Sequence, residues 1–271
     1  MQQKPVLVEK ANAICTITIN RAEKQNTLNP EVLREIVSAI RSAGSDPSVR
    51  VVVLRGAGEK VFCAGYDLSI LPGTVQGFSD RKAQGEAVSP EEDLINLSVE
   101  AISDCPVPVI AMVFGPCVGA GCDLAVACDM RLASSTARFA IPAVRRGLAY
   151  PPKSVGRLMG LVGAAATSEM LLTGAFVDAA RAREIGLVHR VVETGGLAEA
   201  TYSLAGVMAA NGPLGLAATK RIMAKYLQVE RLSPADEAEA QEMAMHCAQS
   251  ADFQEGVRAF LEKRQPRFQG K

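Results

Sequence analysis

The sequence carries no excess charge of either sign. Lysine plus arginine and aspartate plus glutamate both number 29, so the formal net charge is zero. A nucleic acid or an anionic membrane surface as main partner is thereby disfavoured, because both need a basic field. No apolar run reaches the ~18 residues that span a bilayer, and the Met-Gln-Gln-Lys-Pro start has no apolar signal core. These absences predict no membrane partner and a cytoplasmic location.

Metal and redox motifs are also missing. The seven cysteines are an odd number, and Cys117, Cys122 and Cys128 match neither a zinc knuckle nor a Cys-x-x-Cys pair. Buried reduced thiols and no bound metal are expected. There are two histidines, His189 in a predicted strand (Leu187 to Val192) and His246 in a helix, and neither receives a role. With no G-x-S-x-G elbow, a Ser-His-Asp hydrolase is disfavoured. Gly119-Ala120-Gly121 opens like a dinucleotide fingerprint, but the third glycine would fall on Leu124. No internal repeat or low-complexity segment is present.

What remains is a rhythm of buried strands and amphipathic helices. Ile14 to Ile19 alternates and is β-branched, which predicts a strand paired with Val6 to Glu9. Asn29-Pro30-Glu31 is a helix start, followed by an apolar face of Leu33, Ile36, Val37 and Ile40. Val49 to Leu54 and Val107 to Phe114 are continuous apolar runs, expected of strands buried on both faces. Gly115 to Gly121 reads as a turn, Cys122 to Cys128 as a helix and Met130 to Ala133 as a strand. Gly73 to Ser89 reads as a surface loop, and Ser89-Pro90-Glu91-Glu92 as a helix start running to about Ser103. Helix starts also fall at Ser233-Pro234-Ala235-Asp236 and Asp252-Phe253-Gln254-Glu255. The pattern predicts an α/β protein with a parallel sheet. Residues 1–212 form its core and 213–271 a helical region.

Two turns carry the candidate chemistry. One is Phe62-Cys63-Ala64-Gly65-Tyr66-Asp67-Leu68, and the other is Gly119-Ala120-Gly121-Cys122-Asp123-Leu124. Small residues admit a ligand close to the backbone, and a helix N-terminus presents unpaired N–H groups. Two such turns at the ends of parallel strands can aim two donors at one oxygen, each worth ~3 kcal/mol in a transition state. Either turn alone can equally be a tight structural turn.

Arg21-Ala22-Glu23-Lys24-Gln25-Asn26-Thr27-Leu28, the two turns above and Phe260-Leu261-Glu262-Lys263-Arg264 resemble the enoyl-CoA hydratase/isomerase (crotonase) superfamily, in order along essentially the whole chain. The resemblance implies a crotonase-like spiral of ββα turns with a C-terminal helical trimerisation region. The assembly would be a homotrimer or dimer of trimers. It implies an acyl-CoA thioester substrate, with CoA part of the substrate and no separate cofactor. The oxyanion-hole N–H groups would belong to Tyr66 and Ala120. The Arg21–Leu28 loop and the backbone around Ala64, with Gln25, Asp67 and Leu68, would wrap the CoA nucleotide. Lys24, and Lys263 of a neighbouring subunit, would meet its phosphates.

Family hydratases use two glutamates. Here one position holds Asp123 and the other Ala143. Lys60 to Asp67, Gly147-Leu148-Ala149-Tyr150 and Gln254 to Arg264 are similar to methylmalonyl-CoA decarboxylases. Those enzymes have an active-site tyrosine at the segment of Tyr150 and a histidine where this chain has Tyr66. Losing CO2 from a carboxyacyl-CoA leaves an enolate that needs an oxyanion hole and a proton donor, but no strong base. Tyr150 is either a packed aromatic or a donor to the substrate carboxylate. Arg145 and Arg146 are either solvated or help draw that carboxylate in, and Asp123 is either a helix-start carboxylate or catalytic. The expectation is an acyl-CoA lyase, decarboxylating ahead of hydrating, with an enoyl-CoA hydratase or isomerase that uses Asp123 as the alternative. A non-catalytic acyl-CoA binder and a thioester hydrolase remain as other classes.

Overall fold

A computed structural model describes residues 4–67, 93–227 and 234–269. The first elements follow the local signals closely. Strand β1 (Val6–Ala11) pairs antiparallel with β2 (Ile14–Ile19). Helix α1 (Pro30–Ser45) starts where the Asn29 side chain accepts the N–H of Val32, and it buries Leu33, Ile36, Val37 and Ile40. Strand β3 (Val51–Gly56) begins two residues later than the apolar run suggested.

Helix α2 (Leu94–Asp104) is capped by the Asp93 side chain. Beyond it come β4 (Val109–Val113), β5 (Pro116–Val118), α3 (Ala120–Ala127), β6 (Met130–Ser134) and β7 (Arg138–Ala140). A 3-10 turn (Val144–Arg146) leads to α4 (Pro152–Thr173), β8 (Val177–Asp178), α5 (Ala179–Glu184), β9 (Arg190–Val192) and α6 (Leu197–Ala209). Three helices follow: α7 (Pro213–Leu227), α8 (Pro234–Ala248) and α9 (Ala251–Leu261).

The main sheet has the order β1-β2-β3-β4-β6-β9, parallel except for the β1–β2 edge. Its continuous apolar strands are explained by packing on both faces. Val52, Leu54, Val109, Ala111 and Val113 join the core beneath α1 and α2. The alternate residues Val51, Val53, Ile110 and Met112 pack with Leu197 and Ala205 of α6. The strand period of two thus feeds two cores from one run.

A second sheet, β5-β7-β8, was not anticipated. Its first strand lies inside the stretch read as a glycine-rich turn. Helix α3 consequently starts at Ala120 rather than Cys122. His189 lies just before β9 rather than within a strand, and its Nδ1 accepts the N–H of Arg131. The Ser89 helix start, the Gly73–Ser89 loop and Ser233 lie outside the described residues. Helix α9 is capped by Ser250, two residues before the expected Asp252. All seven cysteines are free, and six are buried.

One helix, α4, is long and apolar enough by length and composition to cross a membrane. Gly163 breaks it, with φ 74° and ψ 170°, a conformation open to glycine. The 11 residues before the break reach only about 16 Å, half a hydrocarbon core.

The last helices grip the body. The Lys220 ammonium of α7 donates to Asp129 at 2.7 Å and to the carbonyls of Ile102 and Val107. Helix α9 sits against the Val144–Arg146 turn. A Cβ on Gly256 would stand 2.5 Å from the Arg146 carbonyl oxygen, and one on Gly147 2.8 Å from the Asp252 carbonyl carbon. Gly256→Val is therefore expected to push α9 off this turn and to cost about 1–3 kcal/mol of stability, read from the denaturant midpoint.

Candidate active site

Three segments leave the carboxyl ends of the adjacent parallel strands β3, β4 and β6, the usual location of ligand crevices in α/β sheets. The first, after β3, is the Phe62–Asp67 turn. It runs along β5, with the N–H groups of Phe62 and Cys63 donating to the Pro116 carbonyl and Val118 N–H donating to Cys63. On its other side Leu28 donates to Gly65 at 2.8 Å, and Asp67 donates to Leu28 at 2.7 Å.

The Arg21–Leu28 loop is locked to this turn. Asn26, 1% exposed, accepts the Arg21 N–H on its side-chain oxygen and donates to the carbonyls of Ala57 and Val61. Arg21 pairs with Asp67 at 3.3 Å and donates to Thr27. Gln25 accepts the Ala64 N–H at 3.1 Å. Asp67 thus braces the Tyr66 turn against the first loop. Lys24 and Lys263 are exposed, and neither forms an ion pair among the described residues. Leu68 lies outside the described residues.

The second segment follows β5. Gly119 caps α3 at φ 53° and ψ −121°, outside the range of L side chains. This torsion turns the chain so that Ala120 becomes the first helical residue, whose N–H has no intrahelical acceptor. Gly121 lets α3 approach the first turn: a Cβ there would meet Cys63 at 2.8 Å. A Cβ on Gly65 would lie 2.8 Å from the Val118 carbonyl oxygen and 3.8 Å from the Ala120 nitrogen. The backbones bearing Tyr66 and Ala120 are therefore neighbours, as the sequence suggested.

The third segment, after β7, brings in Tyr150. Its hydroxyl donates to Asp123 Oδ2 at 2.6 Å and lies 3.2 Å from the Gly119 carbonyl. Asp123 and Tyr150, 27 residues apart, form one unit beside the N-terminus of α3. Asp123 is only 6% exposed. Burial raises its proton affinity above the ordinary carboxylate value. The Tyr150 and Ser154 hydrogen bonds and the Arg157 charge oppose that rise, and Asp93 adds to it. Burial and the neighbouring carboxylate push the Tyr150 phenol well above its usual range, so it remains a proton donor.

Position 143, where the resemblance implied a second glutamate, holds an alanine. The cations suggested by sequence are engaged elsewhere. Arg145 Nε donates to Thr173, and Arg146 donates to Pro142 and stacks on Phe260. The cation that acts on Asp123 is instead Arg157. Cys63 is a poor nucleophile, because burial pushes its thiol up to about 12. Among the described residues no group of His, Cys, Asp or Glu could hold a metal ion.

The fold thus brings two backbone turns at parallel strand ends together with one carboxyl group and one phenol. The family model for enoyl-CoA hydratase/isomerase matches residues 9–271. The chain belongs to that family and is an acyl-CoA enzyme of the crotonase superfamily. It is 32% identical to the crotonyl-CoA hydratase of Syntrophomonas wolfei, over 99% of each chain. It is 33% identical to the short-chain-enoyl-CoA hydratase of Clostridium acetobutylicum, over 97% of each. Among solved structures, methylmalonyl-CoA decarboxylase in complex with 2-nitronate-propionyl-CoA superposes with a TM-score of 0.88 over the whole of both chains, at 27% identity.

Proposed function

We propose that the chain is an acyl-CoA lyase that forms a thioester enolate between the N–H groups of Tyr66 and Ala120, and that its reaction is decarboxylation of a carboxyacyl-CoA such as methylmalonyl-CoA. The observation that carries this reading is the Tyr150–Asp123 hydrogen bond of 2.6 Å, in a chain whose residue 143 is alanine. It offers one proton-handling unit where hydration uses two carboxylates. On decarboxylation the C–CO2 bond breaks, CO2 leaves, and the electron pair moves onto the thioester oxygen, where two N–H donors stabilise it. A proton is then added to the α-carbon from the Asp123–Tyr150 unit, which takes up a proton from solvent in turn. The absence of an acid at Ala143 spares the substrate carboxylate a like charge. The Arg21–Leu28 loop, Ala64 and Asp67 line the CoA path, with Lys24 and a neighbouring subunit's C-terminal segment near its phosphates. The reading carries with it a homotrimer or dimer of trimers in the cytoplasm.

Hydration of an enoyl-CoA by Asp123 is the second reading, supported by the names of the relatives at 32% and 33% identity. Incubation with methylmalonyl-CoA and, separately, crotonyl-CoA decides between them by product mass. Loss of CO2 from the first supports decarboxylation. A gain of water on the second, with the first unchanged, refutes it and makes Asp123 a sufficient hydratase carboxylate.

A further inference from the structure

Helix α9 meets the segment that carries Tyr150 at three successive turns of the helix. Asp252, Gly256 and Phe260 are four apart and so share one face of α9. That face lies on the Val144–Arg146 turn. A Cβ on Gly147 would stand 2.9 Å from the Asp252 carbonyl oxygen, and one on Gly256 2.6 Å from the Arg146 carbonyl carbon. The Arg146 guanidinium lies 4.9 Å from the centre of the Phe260 ring. Helix α9 is itself anchored, with Phe253, Val257 and Ala259 buried.

The same turn also rests on the end of α4. Arg145 Nε donates to the Thr173 carbonyl at 3.0 Å, and a Cβ on Gly174 would lie 3.1 Å from the Pro142 Cα. Within the turn, the N–H groups of Arg146 and Leu148 both donate to the Ala143 carbonyl. Only Ala149 separates Leu148 from Tyr150. After Tyr150 come Pro151, with φ −57°, and Pro152, the first residue of α4. A proline restricts the residue before it to extended backbone. Tyr150 therefore has little freedom of its own. The turn on one side and the start of α4 on the other set where its hydroxyl falls.

We propose that α9 is a positioning element for the proton-handling unit: Gly256 and Phe260 hold the Val144–Arg146 turn, and the short link from that turn places the Tyr150 hydroxyl on Asp123. The proposal rests on the reading of Asp123 and Tyr150 above. It gives the Phe260–Arg264 segment a task in the chemistry of its own chain, apart from any contact with CoA. Gly256 serves by having no Cβ, which lets the Arg146 backbone close on α9. Phe260 serves as the platform on which the Arg146 guanidinium rests.

The test reads the Tyr150 hydroxyl directly. The chain has four tyrosines and no tryptophan, so ultraviolet resonance Raman resolves the tyrosine doublet whose intensity ratio reports hydrogen-bond donation. Subtracting the same variant with Tyr150→Phe added isolates Tyr150. Gly256→Ala sets a methyl against the Arg146 carbonyl. It is expected to lose the strong-donor signature and to lower kcat by about 10–10²-fold, as an error of about 1 Å in placement does, with KM unchanged. Phe260→Ala, at a half-exposed position, should weaken the signature and lower kcat about three- to fivefold, as loss of one exposed cation–π contact does. Phe260→Trp keeps an aromatic face under Arg146 and should recover most of that loss. In the Tyr150→Phe background neither α9 substitution should lower kcat further, whereas a general loosening of the fold lowers it by the same factor in both backgrounds. A signature unmoved in both variants overturns the proposal, as does an equal loss of kcat with and without Tyr150. Phe260→Ala covers the case in which Gly256→Ala does not fold. If Tyr150→Phe turns over methylmalonyl-CoA or crotonyl-CoA like the parent, the reading of Tyr150 fails, and the spectrum still decides its placement by α9. If Tyr150→Phe is impaired and the spectrum is unmoved by either α9 variant, only this proposal fails.

Discussion

Asp123→Asn is expected to lower kcat by about 10²–10⁴-fold, the usual worth of a positioned acid–base group, without lowering thermal stability at pH 7. The two halves of this result come from one cause. Burial holds the folded-state pKa of Asp123 above its ordinary value of 3.8. A carboxyl group of this kind favours the folded chain fully below the unfolded value, and that contribution is lost as the pH rises through the folded value. At neutral pH the ionised group is a burden on stability that asparagine removes, while the amide still accepts the Tyr150 hydroxyl. A carboxylate kept only for structure would give the opposite result, a lower melting temperature and unchanged kcat. Turnover and the melting temperature of the same preparation decide it.

Ala120→Pro is expected to cost about 10²–10³-fold in kcat, because in the proposed reaction it removes one of two donors to the enolate oxygen. The fold should tolerate it. Ala120 is the first residue of α3, where proline is favoured and its missing N–H is one that no intrahelical acceptor uses. Gly119 has no Cβ to meet the proline ring. Free CoA should bind the variant as it binds the parent, which separates a lost donor from a collapsed site. A kcat within about threefold of the parent would remove Ala120 from the oxyanion hole.

Much of this arrangement was legible in the sequence where a residue's neighbours along the chain decide its state. Strand β2 and the start of α1 with its Asn29 cap are local signals of alternation and capping, and both fall where expected. The second sheet escaped because its strands are three, three and two residues long. No alternation can be read over so short a span. The start of α3 shifted because an unusual Gly119 torsion, rather than a side-chain cap, begins it. At the site, the motifs named Tyr66, Ala120, Asp123 and Tyr150, but periodicity assigns faces and not distances. The 2.6 Å bond between Asp123 and Tyr150 bridges 27 residues and depends on how β7 returns the chain. Arg157 was missed because it sits in an apolar helix where an arginine reads as solvated.

The affinity of 2-nitronate-propionyl-CoA, whose delocalised anion extends onto the thioester oxygen as an enolate's does, set against that of propionyl-CoA, shows whether the site stabilises a thioester enolate. Binding at least about 10²-fold tighter is expected for the nitronate, as transition-state mimics show, with most of the difference lost in Ala120→Pro. Equal affinity for the two thioesters would contradict it and leave a protein that binds acyl-CoA without stabilising its enolate.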